Sequence, residues 1–245
     1  MIIGAQLYTV RDFTKDTSSL SETLKKIADI GYTAVQISGT CSFDGAWMQN
    51  ELQKNGLVAP VRHYTSEQID AYGEKNIKDD LLFGCGSIGL GWYGKDYDPY
   101  EFIERFTPCA KRIKELGGKF AFHNHDGEFI KTNGKLNIDI ITEAFPKELL
   151  DIILDVYWVQ NGGADPIYWL EKLKGRTQNI HLKDMAFDHK MAVIGEGNMN
   201  FDGILKTASD TGVKYAFVEQ DDCYGEDPFE CLKRSYQFLK SKGFN

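Results

Sequence analysis

Asn179-Ile180-His181-Leu182-Lys183-Asp184 reads as a short strand whose apolar body runs out into charge. Successive side chains of a strand point to opposite faces, so His181 and Lys183 share one side. Three other stretches end in the same way: Phe122-His123-Asn124-His125-Asp126-Gly127-Glu128, Leu154-Asp155-Val156-Tyr157-Trp158 and Val218-Glu219-Gln220-Asp221-Asp222. The same alternation puts Asp155 with Tyr157 and Glu219 with Asp221. Four strands in succession that finish in His or carboxylate groups are more than composition supplies by accident.

Working outward, the chain repeats one phrase: short apolar strand, turn, amphipathic helix. The strands expected are Ile2–Tyr8, Ala34–Ser38, Leu57–His63, Leu81–Leu90, Lys119–Asn124, Asp151–Val156, Asn179–Lys183 and Tyr215–Gln220. Helical spacing of apolar residues marks Ser18–Asp29, Tyr100–Leu116, Ile167–Leu173 and Phe229–Leu239. Asp98-Pro99, Asp165-Pro166 and Asp227-Pro228 are start signals. In each, Asp can cap free backbone N–H groups, and Pro sits where its missing N–H costs nothing. Gly31, Gly56, Gly117-Gly118 and Gly212 are stop signals. No Ser- or Pro-rich linker divides the chain, so the expectation is one domain over residues 1–245. Eight strand–helix units in this length fit an α/β fold of the (β/α)8 TIM-barrel type. A doubly wound open sheet is the alternative, because strand order is not written in a sequence.

Composition narrows the function classes. Hydrophobic residues make up 42% of the chain, enough for a substantial core, and the formal net charge is -8. That balance argues against nucleic acid or an anionic membrane as the main partner, since both call for a field of Lys and Arg. No apolar run approaches the ~18 residues of a membrane span. Met1–Tyr8 lacks the basic start of a signal peptide and reads as a first strand. Cys41, Cys85, Cys109, Cys223 and Cys231 are odd in number and contain no CxxC, which reads as reduced thiols in a cytoplasmic protein.

In a parallel barrel, reactive residues sit where strands end and the next loops begin. A ring of strand ends can present imidazole and carboxylate to one cation, a mixture that suits Mn2+, Zn2+, Co2+ or Fe2+. Asp155 and Asp184 also have a plain reading as caps or turn residues, and His125 as a histidine bonded to backbone. Glu219 is harder to dismiss, because a carboxylate closing the apolar strand Tyr215–Val218 is costly without a compensating charge. His63 ends the third strand and faces the same mouth. Gly84-Cys85-Gly86-Ser87-Ile88-Gly89 fits GxGxxG only on paper, because no helix opens directly after it. Gly195-Glu196-Gly197 has the composition of an active-site loop.

Taken together, these segments resemble the xylose isomerase-like barrels, the sugar phosphate isomerase/epimerase superfamily with its inosose dehydratase-like branch. The resemblance spans nearly the whole chain: Gly4–Asp12, Gly31-Tyr32-Thr33-Ala34-Val35-Gln36 with Gln36 where a Glu is usual, then the His123, Asp155, His181, Glu196 and Glu219 segments in order. It implies a metal set on His123, Asp155, His181 and Glu219, with His123 where most members carry Glu and Glu128 as the substitute. The cation implied is divalent: manganese first, then zinc, cobalt or magnesium. It implies a sugar or keto-polyol substrate and isomerase or epimerase chemistry through a metal-stabilised enediolate, with Glu219 as base and His125 and Lys183 as further acid/base or oxyanion groups. His63, Trp158, Tyr8 and Glu196 are the substrate-binding candidates, with Trp92 a further stacking aromatic. A dehydratase or lyase acting on a keto-inositol or 3-keto-glycoside would use the same site. A non-catalytic sugar-binding barrel is the alternative of another class, and self-association into a homo-oligomer is left open. An endonuclease of the same superfamily would need more ligands than five histidines and a net charge of -8 provide.

Overall fold

The computed structural model describes residues 1–244. Eight parallel strands close into a barrel: β1 Ile2–Gln6, β2 Ala34–Ile37, β3 Val58–Tyr64, β4 Ser87–Leu90, β5 Lys119–His123, β6 Leu150–Asp155, β7 Asn179–Leu182 and β8 Tyr215–Val218. They follow one another in chain order round the ring, and β8 pairs with β1. The expected barrel is therefore the fold, and the open sheet is excluded.

Helices α1 Thr17–Ile30, α2 Gly45–Asn55, α3 Ser66–Asp70, α4 Glu74–Leu82, α5 Pro99–Glu115, α6 Asn137–Ala144, α7 Val156–Asn161, α8 Pro166–Lys172, α9 Phe201–Thr211 and α10 Pro228–Ser241 cover the outside. The three Asp-Pro starts behave as read: Asp98, Asp165 and Asp227 each accept from backbone N–H groups of the turn they open. A cap of this kind contributes ~1 kcal/mol. Gly56 and Gly212 close α2 and α9 in the left-handed conformation, which a Cβ would disfavour.

Two expectations need correction. The fourth strand begins at Ser87, not Leu81. Leu81 and Leu82 are the last turn of α4, which buries Ile77 and Asp80 on its inner side. The local apolar run looked strand-like because a half-buried helix end and a short strand lie back to back across Gly84. Tyr157 also fails to share a side with Asp155, because helix starts at Val156 and breaks the alternation. Its hydroxyl instead donates to the His189 carbonyl at 2.5 Å.

Inside the ring, Ala34, Val61, Ala121, Ile153 and Phe217 form one apolar layer, with Tyr215 packed on it. Small residues make room for the large one: a Cβ on Gly4 would lie 2.6 Å from the Phe217 ring. The larger core lies between strands and helices, where Phe102, Phe106, Phe120 and Phe122 are fully buried. Each large apolar side chain sealed there is worth roughly 1.5–3 kcal/mol. Two residues beyond the inner layer on each strand come Gln6, Gln36, His63, Gly89, His123, Asp155 and His181, and after β8 Glu219. Period-two alternation thus converts an apolar plug into a polar floor at the carboxyl ends of the strands.

Candidate metal centre at the barrel mouth

His123 is the last residue of β5. Its Nδ1 donates to the Gly91 carbonyl at 2.9 Å, which leaves Nε2 facing Asp155 Oδ2 at 3.1 Å. Asp155 divides its two oxygens. Oδ1 caps α7 by accepting from the backbone N–H groups of Tyr157 and Trp158 at 2.9 and 3.0 Å, while Oδ2 faces the cluster. The cap reading and the ligand reading of this Asp are therefore compatible. His181 Nε2 lies 2.8 Å from Gln36 Oε1, and its Nδ1 lies 2.8 Å from Glu219 Oε2 and 3.6 Å from Asp155 Oδ2.

One ligand atom from each of His123, Asp155, His181 and Glu219 falls within 4.8 Å of all the others, and all four residues are buried. His181 Nδ1 and Glu219 Oε2 are close but aligned too poorly for a hydrogen bond, so both are buried without one. Atoms that converge on a point and do not satisfy one another fit a cation placed between them. Two imidazole nitrogens and two carboxylate oxygens are the donor set of a borderline divalent metal.

Lys183, 1% exposed, supplies a fixed positive charge beside them. Its Nζ lies 3.1 Å from Asp155 Oδ2, 2.9 Å from Glu219 Oε2 and 3.0 Å from Asp221 Oδ2. Burial alone would raise the Asp155 and Glu219 carboxyls, but Lys183 and the adjacent imidazoles hold both well below the usual carboxylate range. Burial likewise opposes charge on Lys183, and the three carboxylates overcome it and hold the ammonium protonated. Asp221 is pushed up to about 6 by burial, with Lys183 acting against the rise. Burial and the neighbouring rings favour the neutral form of His63, His123 and His125.

His123 and Glu219 bring the cluster to a cavity of about 780 Å3, within the size range of small-molecule sites, while Asp155 and His181 are fully buried and do not line it. His63, His123, His125, Lys183, Glu219 and Asp221 reach it from below, and Tyr8 and Trp92 stand on its wall. Trp158 sits beside the floor, its ring 5.0 Å from that of His125 and 5.7 Å from Lys183 Nζ. Two sequence candidates lie elsewhere. Glu128 is buried, but its oxygens accept from the Tyr97 hydroxyl and the His125 backbone N–H, both at 2.5 Å, so it is not part of the cluster. Glu196 is turned outward to Arg234 at 2.9 Å. The loop that carries it is tied down by Asp184, whose carboxylate accepts from the backbone N–H groups of Met185, Gly195, Gly197 and Met199. The Gly-Glu-Gly composition serves that close approach: a Cβ on Gly197 would collide with the Asp184 carboxylate. The last glycine of the GxGxxG look-alike also has a local use, because a Cβ on Gly89 would come within 2.5 Å of the His63 ring.

Reading strand ends left Gln36 with no role, although its inward phase in β2 was available from Ala34. It also overlooked the Gly91 carbonyl, a backbone group that no side-chain motif announces.

Fold and site together define a (β/α)8 barrel with buried imidazole and carboxylate groups gathered at its C-terminal mouth. The chain belongs to the xylose isomerase-like TIM barrel family, whose model matches residues 80–242. It is 33% identical over 201 residues to an inosose dehydratase of Geobacillus kaustophilus, covering 71% of this chain and 64% of that one. An inosose dehydratase of Bacillus cereus is 24% identical over 154 residues, covering 54% of this chain and 51% of the relative. The chain thus spans about half the length of that relative and of several similar ones. Among solved structures, a sugar phosphate isomerase/epimerase from Parabacteroides distasonis superposes with a TM-score of 0.82 at 21% identity, covering 98% of this chain and 93% of the other. No helix among the described residues is long and apolar enough to cross a membrane.

Proposed function

We propose that the chain is a metal-dependent isomerase or epimerase of sugars or keto-polyols that removes a proton from the carbon next to a carbonyl. The observation that carries this reading is the buried His123, Asp155, His181 and Glu219 cluster, whose His123 and Glu219 line an open cavity. These four residues would hold one divalent cation, with manganese the first candidate. Bound there, it would supply Lewis acidity to the oxygens of the substrate.

The protein groups divide the remaining work. Glu219, kept ionised by Lys183, takes the proton from carbon. Lys183 stays protonated and donates toward oxygen as negative charge develops on it. His125, neutral and open to the cavity, donates a hydrogen bond to a substrate oxygen, and in an isomerisation Glu219 returns the proton it took to the neighbouring carbon. His63, Tyr8 and Trp158 hold the substrate, and Glu196, paired with Arg234, takes no part.

A second reading, dehydration of a keto-inositol or elimination from a 3-keto-glycoside, draws support from the inosose dehydratase relatives. It begins with the same proton abstraction and ends in loss of a neighbouring leaving group.

The test is metal content followed by turnover. Purified protein reconstituted with Mn2+ is expected to hold one ion per chain, and Asp155→Ala and His181→Ala are each expected to lose it. Screening keto-sugars and inososes with the loaded protein then separates isomer formation from loss of water. Failure of the wild type to retain any divalent ion under any reconstitution sinks the proposal.

A further inference from the structure

We infer that Gln36 is a positioning residue that fixes the hydrogen pattern of two histidines at once, and that His63 thereby presents an Nδ1–H donor to a substrate oxygen in the cavity. The substrate part rests on the proposed function; the hydrogen pattern does not.

Gln36 is fully buried in β2 and points into the barrel. Its Oε1 lies 2.8 Å from His181 Nε2, and its Nε2 lies 2.6 Å from His63 Nε2. An amide oxygen only accepts and an amide nitrogen only donates. His181 must therefore carry hydrogen on Nε2, which leaves Nδ1 as the nitrogen turned toward Asp155 and Glu219. His63 must offer a lone pair at Nε2, so its ring hydrogen sits on Nδ1. The opposite amide orientation would reverse both patterns, with hydrogen on His181 Nδ1 and on His63 Nε2.

The His63 ring cannot turn away from this arrangement. It lies against β4 and the residue after it, where a Cβ on Gly89 would come within 2.5 Å of Cδ2 and a Cβ on Gly91 within 3.2 Å of Nδ1. Among the described residues no protein group accepts from His63 Nδ1, and the ring borders the cavity. A carbonyl or hydroxyl oxygen of a bound keto-sugar is an acceptor of the right kind. Position 36 requires an amide for this, because a carboxylate would accept from both rings and leave hydrogen on His63 Nε2.

The deciding experiment is a long-range 1H–15N correlation spectrum of the full chain labelled at histidine, free of metal and substrate. His63→Gln and His181→Gln provide the assignments. Wild type is expected to show His63 protonated at Nδ1 only and His181 protonated at Nε2. In Gln36→Glu the His63 hydrogen moves to Nε2 or appears on both nitrogens, and in Gln36→Met His63 shows a mixture of the two neutral forms. Hydrogen on His63 Nε2 in wild type overturns the inference, as does a His63 pattern unchanged in both variants. The spectrum needs neither ion nor turnover, so failure of the proposed function would leave this result standing.

Discussion

Replacing Glu128 by Gln should stabilise the protein at alkaline pH and leave it almost unchanged in acid. Glu128 is 2% exposed, and burial raises its carboxyl from 4.5 to about 7 although the Tyr97 hydroxyl and the His125 N–H act to lower it. An acid with a raised folded-state pKa favours folding fully only below its unfolded value. Its contribution falls as pH climbs from about 4.5 to 7, because the unfolded chain ionises first, and is level above that. At about 1.4 kcal/mol per unit, the rise corresponds to about 3 kcal/mol withheld from the folded state at pH 8 or above. Gln is the uncharged isostere and escapes that loss, while its amide NH2 can donate to Tyr97 Oη once the hydroxyl turns to accept. For a chain of this size, 1 kcal/mol moves the Tm by about 2–4 °C. The variant should therefore melt roughly 6–12 °C above wild type at about pH 8.5, and within a degree or two of it at about pH 4.5. Urea unfolding at the two pH values gives the same double difference, from which groups shared by both proteins cancel. A gap of equal size at both pH values, or a variant that is weaker in alkali, refutes the reasoning.

Asp80→Ala should cost about 3 kcal/mol in urea unfolding: it leaves Arg62 without its 2.9 Å partner and takes the acceptor from the Tyr64 and Tyr72 hydroxyls. A loss under about 1 kcal/mol would mean that the network is not the brace between β3 and α4 that the geometry describes. Asp184→Ala removes the acceptor of four backbone N–H groups, so about 3 kcal/mol of stability and much of the exchange protection at Gly195 and Gly197 should go with it. Unaltered hydrogen exchange at those two amides would dismiss the loop anchor. Gly197→Ala should be destabilised by about 1–3 kcal/mol through contact with the same carboxylate, and melting at wild-type temperature would count against it.

The barrel was legible because its grammar is local. Asp-Pro starts, glycine stops and apolar strands each state their element within a few residues, and the count of eight did the rest. The stretch Leu81–Leu90 misled because length and periodicity cannot separate a half-buried helix end from a strand when Gly84 falls between them. Tyr157 misled for a related reason: Asp155 is both the last residue of β6 and the cap of α7, so alternation stops one residue earlier than the pattern shows. Strand-end chemistry marked four segments, the family resemblance implied His123, Asp155, His181 and Glu219 within them, and one ligand atom of each lies within 4.8 Å of the others. The same logic passed over Gln36, because a neutral amide carries no chemical signature until its two ring partners are known. Loop composition and the resemblance also suggested Glu196 for the substrate, whereas its carboxylate pairs with Arg234 and Gly197 serves the approach of backbone to Asp184.

Charge explains why the floor of the mouth needs Lys183 as well as histidines. Asp155, Glu219 and Asp221 bring three carboxylates into contact with one buried ammonium. His123 is neutral by burial, and His181 is the one imidazole whose neighbours overcome burial and favour its charged form. Lys183 and a protonated His181 together leave one negative charge uncompensated among largely buried groups, where such a charge is costly. With His181 neutral and the proposed divalent ion in place, three negative charges meet three positive ones. The proton on His181 and the ion are thus alternatives for the same face of the ring, the face that Gln36 leaves open by holding the other nitrogen. Lys183 shares Asp155 Oδ2 and Glu219 Oε2 with the proposed ion, and its charge keeps both carboxyls ionised, which a cation ligand and a general base each require.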